Sequence, residues 1–222
     1  MGNRNIDENK RATLRRFATI GAASPLAVLG GGETTTDNTG AERTQDHEQT
    51  GSDNRNEVRK AIVGYVSSTP GVHFSKIRDE LKLGTGETQH HLRRLVDDGR
   101  LTIHRDGDYK RFYLSGRFNT FEQVALGFLR RTTPRGILIE LLKDPTATGA
   151  DLATVLDVSQ ATVSTYSSKL DDAGLISRTD DYTIKEPEII LTLILRHADS
   201  LGPDAVAIAD EAETLLKYSP QD

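Results

Sequence analysis

Cysteine and tryptophan are absent from this chain of 222 residues, and methionine occurs once. Without cysteine there is no disulfide, zinc ribbon, iron–sulfur cluster or thiol nucleophile. Aromatic residues make up only 5% and apolar residues only 36%, the latter below the usual share for a globular domain. Long apolar runs are also missing. The stretch Phe17 to Leu29 has 13 residues, where a bilayer span needs about 20. No Ser/His/Asp arrangement, phosphate loop or metal motif occurs, which argues against an enzyme. Glycine is plentiful at 19. Together these point to a modest folded region with an attached disordered stretch.

The formal net charge of −5 hides a polarised distribution. Residues 1–53 carry 6 Lys/Arg and 8 Asp/Glu, residues 54–118 carry 13 and 8, and residues 119–222 carry 9 and 17. The middle is therefore basic by +5 and the C-terminal part acidic by −8, a division that a net sum conceals. Arg (19) outnumbers Lys (9) and Asp (20) outnumbers Glu (13), a bias of the kind halophiles show.

Residues 1–53 read as a disordered arm and linker. Within it, Arg15-Arg16-Phe17 precedes small and apolar residues up to Gly30, a twin-arginine-like segment at 15–30 that raises export or a peripheral membrane contact as alternatives. Residues 31–53 contain one apolar residue, Ala41, and cannot offset the entropy of ordering.

From Asn54 the pattern changes. Val58, Ile62, Tyr65 and Val66 recur at helical spacing and Pro70-Gly71 stops the helix. Val72-His73-Phe74 is a short extended piece. Ser75 is placed to cap a second helix carrying Ile77 and Leu81, and a third runs from Glu87 to Asp98 with Gly99 after it. Two strands then flank Asp106-Gly107-Asp108, a hairpin turn. This order is that of a winged helix-turn-helix. It recurs 75 residues later: Leu81, Leu83, Leu95, Gly99 and Leu101 correspond without a gap to Leu156, Val158, Leu170, Gly174 and Ile176. In the second copy a first helix starts at Thr133 or Pro134, a second covers Gly149 to Leu156, a third covers Gln160 to Ala173, and a shorter hairpin turns at Asp180-Asp181. The fold class is mainly α with small β-hairpin wings. Two tandem winged domains, 54–118 and 119–185, are followed by C-terminal helices over 186–222.

Gly71-Val72-His73-Phe74 with Glu87-Thr88-Gln89-His90-His91-Leu92-Arg93-Arg94-Leu95, and Ala161-Thr162-Val163-Ser164 through Leu175-Ile176, resemble archaeal winged-helix regulators related to the ArsR and MarR families. The likeness covers about residues 54–185 and is of the haloarchaeal tandem type. It implies a transcriptional regulator that binds double-stranded DNA. Two departures stand out: Ser167 occupies a position where the family usually has leucine, and the second wing is acidic.

In a helix-turn-helix the N-terminal part of the reading helix enters the major groove. In the first copy that places Thr85, Glu87, Thr88, Gln89, His90, Arg93 and Arg94 at DNA. Gln can pair with an adenine edge, Arg with guanine, and Thr and His with phosphate or base edges. Glu87 accepts from cytosine or sits at the helix start, where the dipole favours it. The wing adds His104, Arg105, Lys110 and Arg111 for backbone or minor-groove contact. His91 belongs to the packed face, as does its counterpart Tyr166. The second copy offers Ser159, Gln160, Thr162, Ser164, Thr165, Ser168 and Lys169, a polar face with little charge and hence a weaker hold on phosphate. His73, His90, His91 and His104 fall in one domain but lack the spacing of metal ligands, so no metal or other cofactor is expected.

Pro187 to Leu195 reads PEIILTLIL. It continues to Gly202-Pro203 as a helix of about 14 residues, apolar over most of its circumference. Asp204 to Tyr218 forms another. Such surface fits a homodimer interface, with intrachain packing as the alternative. A cytoplasmic regulator is the leading reading. A protein-interaction adaptor, with a protein of the transcription machinery as partner, and an exported or membrane-associated variant stand beside it.

Overall fold

The computed structural model describes residues 3–22, 46–179 and 181–215. The chain divides into two compact units, Met1–Arg117 and Phe118–Asp222.

The first unit contains α1 (Asn3–Ala22), α2 (Asp46–Ser68), β1 (Val72–His73), α3 (Phe74–Glu80), α4 (Thr85–Asp97), β2 (Leu101–Asp106) and β3 (Tyr109–Leu114). The strands form an antiparallel sheet in the order β1-β3-β2. Val58, Ile62 and Val66 of α2, Ile77 of α3, Leu92 and Leu95 of α4, and Leu101 and Phe112 of the hairpin share one core. Helices of seven to thirteen residues are marginal alone, and this shared core is what holds α3 and α4.

Two parts of the expected disordered arm are helical instead. In α1, Leu14 and Phe17 lie three residues apart and are both buried in that core, with the Phe17 ring edge-on to Tyr65 at 5.0 Å. An i, i+3 apolar pair is enough to dock one helix face once a partner exists. The residues from Asp46 to Asp53 extend α2 backwards. Lengthening a helix already anchored by packing avoids the cost of a new nucleus. The apolar half of the twin-arginine-like segment, residues 23–30, and most of the linker, 31–45, lie outside the described residues. No helix among the described residues is long and apolar enough to cross a membrane.

The cap of the second helix also differs from the expected one. His73, not Ser75, is the N-cap, and its Nδ1 accepts from the Lys76 N–H at 3.4 Å. Because β1 runs directly into α3, the capping residue is itself the last strand residue.

The second unit contains α5 (Thr120–Leu129), α6 (Thr132–Lys143), α7 (Gly149–Val155), α8 (Gln160–Asp172), β4 (Ile176–Ser177), β5 (Thr183–Ile184), α9 (Pro187–Leu201) and α10 (Pro203–Leu215). The repeat is visible in backbone detail. α3 and α4 correspond to α7 and α8 at a spacing of 75 residues, and Lys82 (φ 53) and Asp157 (φ 51) take the left-handed turn at the same offset. Non-glycine residues seldom adopt that conformation, so its recurrence marks one turn used twice. The caps Gly84 and Ser159 likewise share φ −69, with ψ 152 and 151.

α5 precedes the helix expected to start at Thr133 or Pro134. Asn119 caps it, accepting from the Glu122 N–H at 2.9 Å while Glu122 accepts from the Asn119 N–H at 2.8 Å. This is a capping box that was legible in the sequence. α5 and α6 receive α9 and α10. Ile190, Leu193, Ile194 and Leu201 of α9 are buried, and Arg135, itself buried, donates through Nε to Asp204 of α10 at 2.8 Å and through a terminal nitrogen to the Leu129 carbonyl at 3.0 Å. Much of the C-terminal apolar surface thus packs inside the chain. Residues 216–218, expected to end the last helix, lie outside the described residues.

Candidate nucleic-acid interface

α4 is amphipathic. Thr88, His91, Leu92 and Leu95 face the core, leaving Thr85, Gln89 and Arg93 as an exposed i, i+4, i+8 stripe with His90 and Arg94 beside it. The helix of 13 residues is about 20 Å long, and a B-DNA major groove admits a helix. Arg93 and Arg94 each reach the carboxylate one turn on, Asp97 at 3.8 Å and Asp98 at 3.4 Å. Exposed pairs of this sort contribute about 0.2–1 kcal/mol, so both guanidiniums can exchange these partners for phosphate or guanine.

Two of the residues assigned to DNA from the sequence are corrected. Thr88 is fully buried, its hydroxyl donating to the Gly84 carbonyl at 2.9 Å, because it falls on the inner face of α4. Arg111 is 3% exposed. It pairs with Asp106 and donates to the Gly71 carbonyl at 2.9 Å, tying the wing to the turn before β1. Glu87 is half-buried and already engaged. It accepts from the Gly84 N–H at 3.2 Å and pairs with Lys10 of α1 at 3.1 Å.

Strand alternation explains the fate of the wing cations. Residues directly opposite in an antiparallel pair share a face, and neighbours along a strand alternate. Arg105 faces Lys110 across the strands, and His104 faces Arg111. Arg105 and Lys110 therefore share the side that carries Ile103 and Phe112. That side meets α4 in a groove lined by Gln89, Leu92, Arg93, Val96 and Asp97 along with Ile103, Lys110 and Phe112. His104, half-buried, shares the other side with Arg111. Arg105 and Lys110 are both exposed, and like charges directly opposite weaken a hairpin. An arrangement that costs stability and presents two cations side by side suits an anionic partner.

The wing also exposes two residues that sequence reasoning passed over, Ile103 at 38% and Tyr109 at 53%. Their place in a strand pair that leads out beyond the core would have singled them out. The turn between them is tight. Arg105–Lys110 and Asp106–Tyr109 pair on either side of Gly107, whose φ of 58 suits the first position of a two-residue hairpin turn.

Two histidines of the unit have lowered pKa values. Burial is the main cause for His91, with His90 adding to it, and burial followed by the Arg111 charge for His73. Both favour the neutral ring, which fits a packing role. His90 stays exposed on the α4 surface. Among the described residues no group of three His, Asp or Glu is arranged to hold a metal ion.

In the second unit α8 presents Gln160, Ser164 and Thr165 outward. Several of its polar atoms are already used. Ser159 Oγ accepts from the Thr162 N–H at 3.1 Å and the Thr165 hydroxyl donates to the Ala161 carbonyl at 2.8 Å. Half-buried Ser168 adds little surface. The Lys169 ammonium lies 5.3 Å from the centre of the Tyr166 ring. Ser167 is fully buried, and its hydroxyl lacks a hydrogen-bond partner among the described residues. The β4–β5 wing pairs only Ile176 with Ile184 and Ser177 with Thr183. Asp180, at its turn, lies outside the described residues.

The architecture is that of winged helix-turn-helix domains in tandem. Residues 56–126 match a family model described as an N-terminal HTH domain, and residues 130–177 match one described as winged helix-turn-helix DNA-binding. No curated protein and no solved structure matches the chain. The two successive matches agree with the haloarchaeal-type tandem regulators that the sequence resembles.

Proposed function

We propose that this protein is a sequence-specific DNA-binding transcriptional regulator acting in the cytoplasm, whose first winged domain reads duplex DNA. The observation that carries the reading is the groove in which Gln89 and Arg93 of the exposed α4 stripe meet Lys110, with Arg105 directly opposite Lys110 on the same side of the wing. Gln89 and Arg93 supply base-edge recognition, with His90 and Arg94 at their flank. Arg105 and Lys110 supply backbone contact. Thr85, exposed in the first turn of α4, approaches phosphate.

The second domain serves mainly as scaffold. Its reading face carries a single cation, Lys169, in a region with a net charge of −8, a setting that opposes phosphate binding. The same face, with its exposed Gln160, Ser164 and Thr165, suits a protein of the transcription machinery. Self-association is assigned to α9, where Ile189, Leu191 and Leu195 remain half-buried after the intrachain core is complete.

Chromatin immunoprecipitation with sequencing, followed by gel-shift titration of the enriched duplex, tests the function. Arg93→Ala with Arg105→Ala is expected to weaken binding and flatten its salt dependence. Unchanged affinity and slope would overturn the assignment of the first domain as the reader.

A further inference from the structure

The reading helix begins with an acidic side chain. Glu87 is the one carboxylate in the first half of α4, and that half is the part expected to approach phosphate. An unscreened carboxylate there repels DNA. In the structure its charge is met from an unexpected place. Lys10 of α1 lies 77 residues earlier, and its Nζ reaches both carboxylate oxygens, at 3.1 and 3.4 Å. Both side chains are about 30% exposed (28% and 32%). α1 is held in position independently of this pair. Leu14 and Phe17 are buried against α2, and Arg15 lies 3.6 Å from Glu57.

We propose that α1 is a working part of the DNA-reading unit, with Lys10 as a positioning residue that neutralises Glu87 at the leading end of α4. The Lys10 charge cancels the repulsion between Glu87 and the phosphates. It also holds the Glu87 carboxylate where one oxygen can accept from the Gly84 N–H at 3.2 Å, so the same side chain caps the helix. A segment whose twin-arginine-like character raises export or membrane contact as alternatives is thereby assigned a role at the DNA surface. This inference rests on the reading that α4 meets DNA.

The test uses the full chain, a labelled duplex recovered from the immunoprecipitation, and anisotropy over a range of salt. Lys10→Met keeps an unbranched apolar stem and removes the ammonium with its charge and donors. It is expected to weaken duplex binding about three- to tenfold at low salt, with the gap closing at high salt as the exposed carboxylate is screened. Glu87→Gln keeps a side chain that can complete a capping box. Lys10→Met combined with Glu87→Gln is therefore expected to bind within about twofold of the unmodified protein, since an amide does not repel phosphate. Circular dichroism confirms that each variant keeps its helix content.

Unchanged binding by Lys10→Met overturns the inference while leaving the proposed function intact. So does a double variant as weak as Lys10→Met alone, which would make Lys10 a direct phosphate contact or a purely structural residue. Failure of the unmodified protein to bind any duplex overturns the proposed function and this inference with it.

Discussion

The wing allows two arginines six positions apart to be told apart by experiment. Arg105 and Lys110 are exposed, directly opposed, and without an ion pair among the described residues. Opposed like charges cost a strand pair about 0.2–1 kcal/mol. Replacing both with alanine is therefore expected to leave folding stability unchanged or raise it by a few tenths of a kcal/mol. Under the proposed function the same replacement removes two phosphate contacts. Each contact contributes about 0.9 to the slope of log K against log salt, so the slope is expected to fall by about 1.8. Arg111→Met should do the reverse. Its side chain is 4% exposed, and it binds Asp106 and the Gly71 carbonyl. Breaking a buried pair by removing one partner costs about 3 kcal/mol. With a urea dependence of about 1.5 kcal/mol per M, the unfolding midpoint drops by about 2 M, while the salt slope of the surviving folded protein stays where it was. Urea unfolding followed by circular dichroism and anisotropy of a mixed-sequence duplex across a salt series give the two readouts. The reasoning is refuted if Arg111→Met lowers the salt slope with stability intact, or if the double alanine variant keeps the full slope.

Three further outcomes are expected. His91 and His73 have pKa values lowered by burial, so the unfolded chain takes up protons more readily than the folded one. Their contribution to stability is complete above the unfolded value of 6.5 and is lost as pH falls below it. Urea midpoints near pH 7.5 and pH 5.5 should show this drop, and a flat profile would count against it. Phe17→Ala should cost about 3 kcal/mol, as for a buried phenylalanine; no change would mean that α1 does not pack on Tyr65. Leu191→Asp with Leu195→Asp, on the half-buried side of α9, should convert the proposed dimer into a monomer by light scattering, and an unaltered mass removes that face as an interface. Deleting α9 altogether would not serve, because Ile190, Leu193 and Ile194 belong to the core of the second unit.

Much of this fold is written locally. The spacing of 75 residues, the apolar pattern of α4 and α8 and the turn at Gly107 all depend on neighbours in the chain, and each appears in the structure where the sequence puts it. The exposed stripe Thr85–Gln89–Arg93 follows from helical periodicity alone. The capping box of α5, Asn119 with Glu122, is equally local.

Tertiary structure decided the rest, because burial depends on which surfaces meet. Nothing within residues 3–22 reveals that Leu14 and Phe17 will find Tyr65, or that Lys10 will reach Glu87 across 77 positions. The four wing cations look alike along the chain. Only the strand register and the approach of Gly71 separate Arg105 and Lys110, left to solvent, from Arg111, drawn inside. In the same way the apolar content of α9 requires a partner without saying which one. α5, α6 and α10 all pack against it within the chain. The sequence by itself determined the two helix-turn-helix units and the basic character of the first. Which charges remain available for DNA was decided by packing, since a charge buried against a carbonyl and a carboxylate has already exchanged water for those partners and has none left to offer.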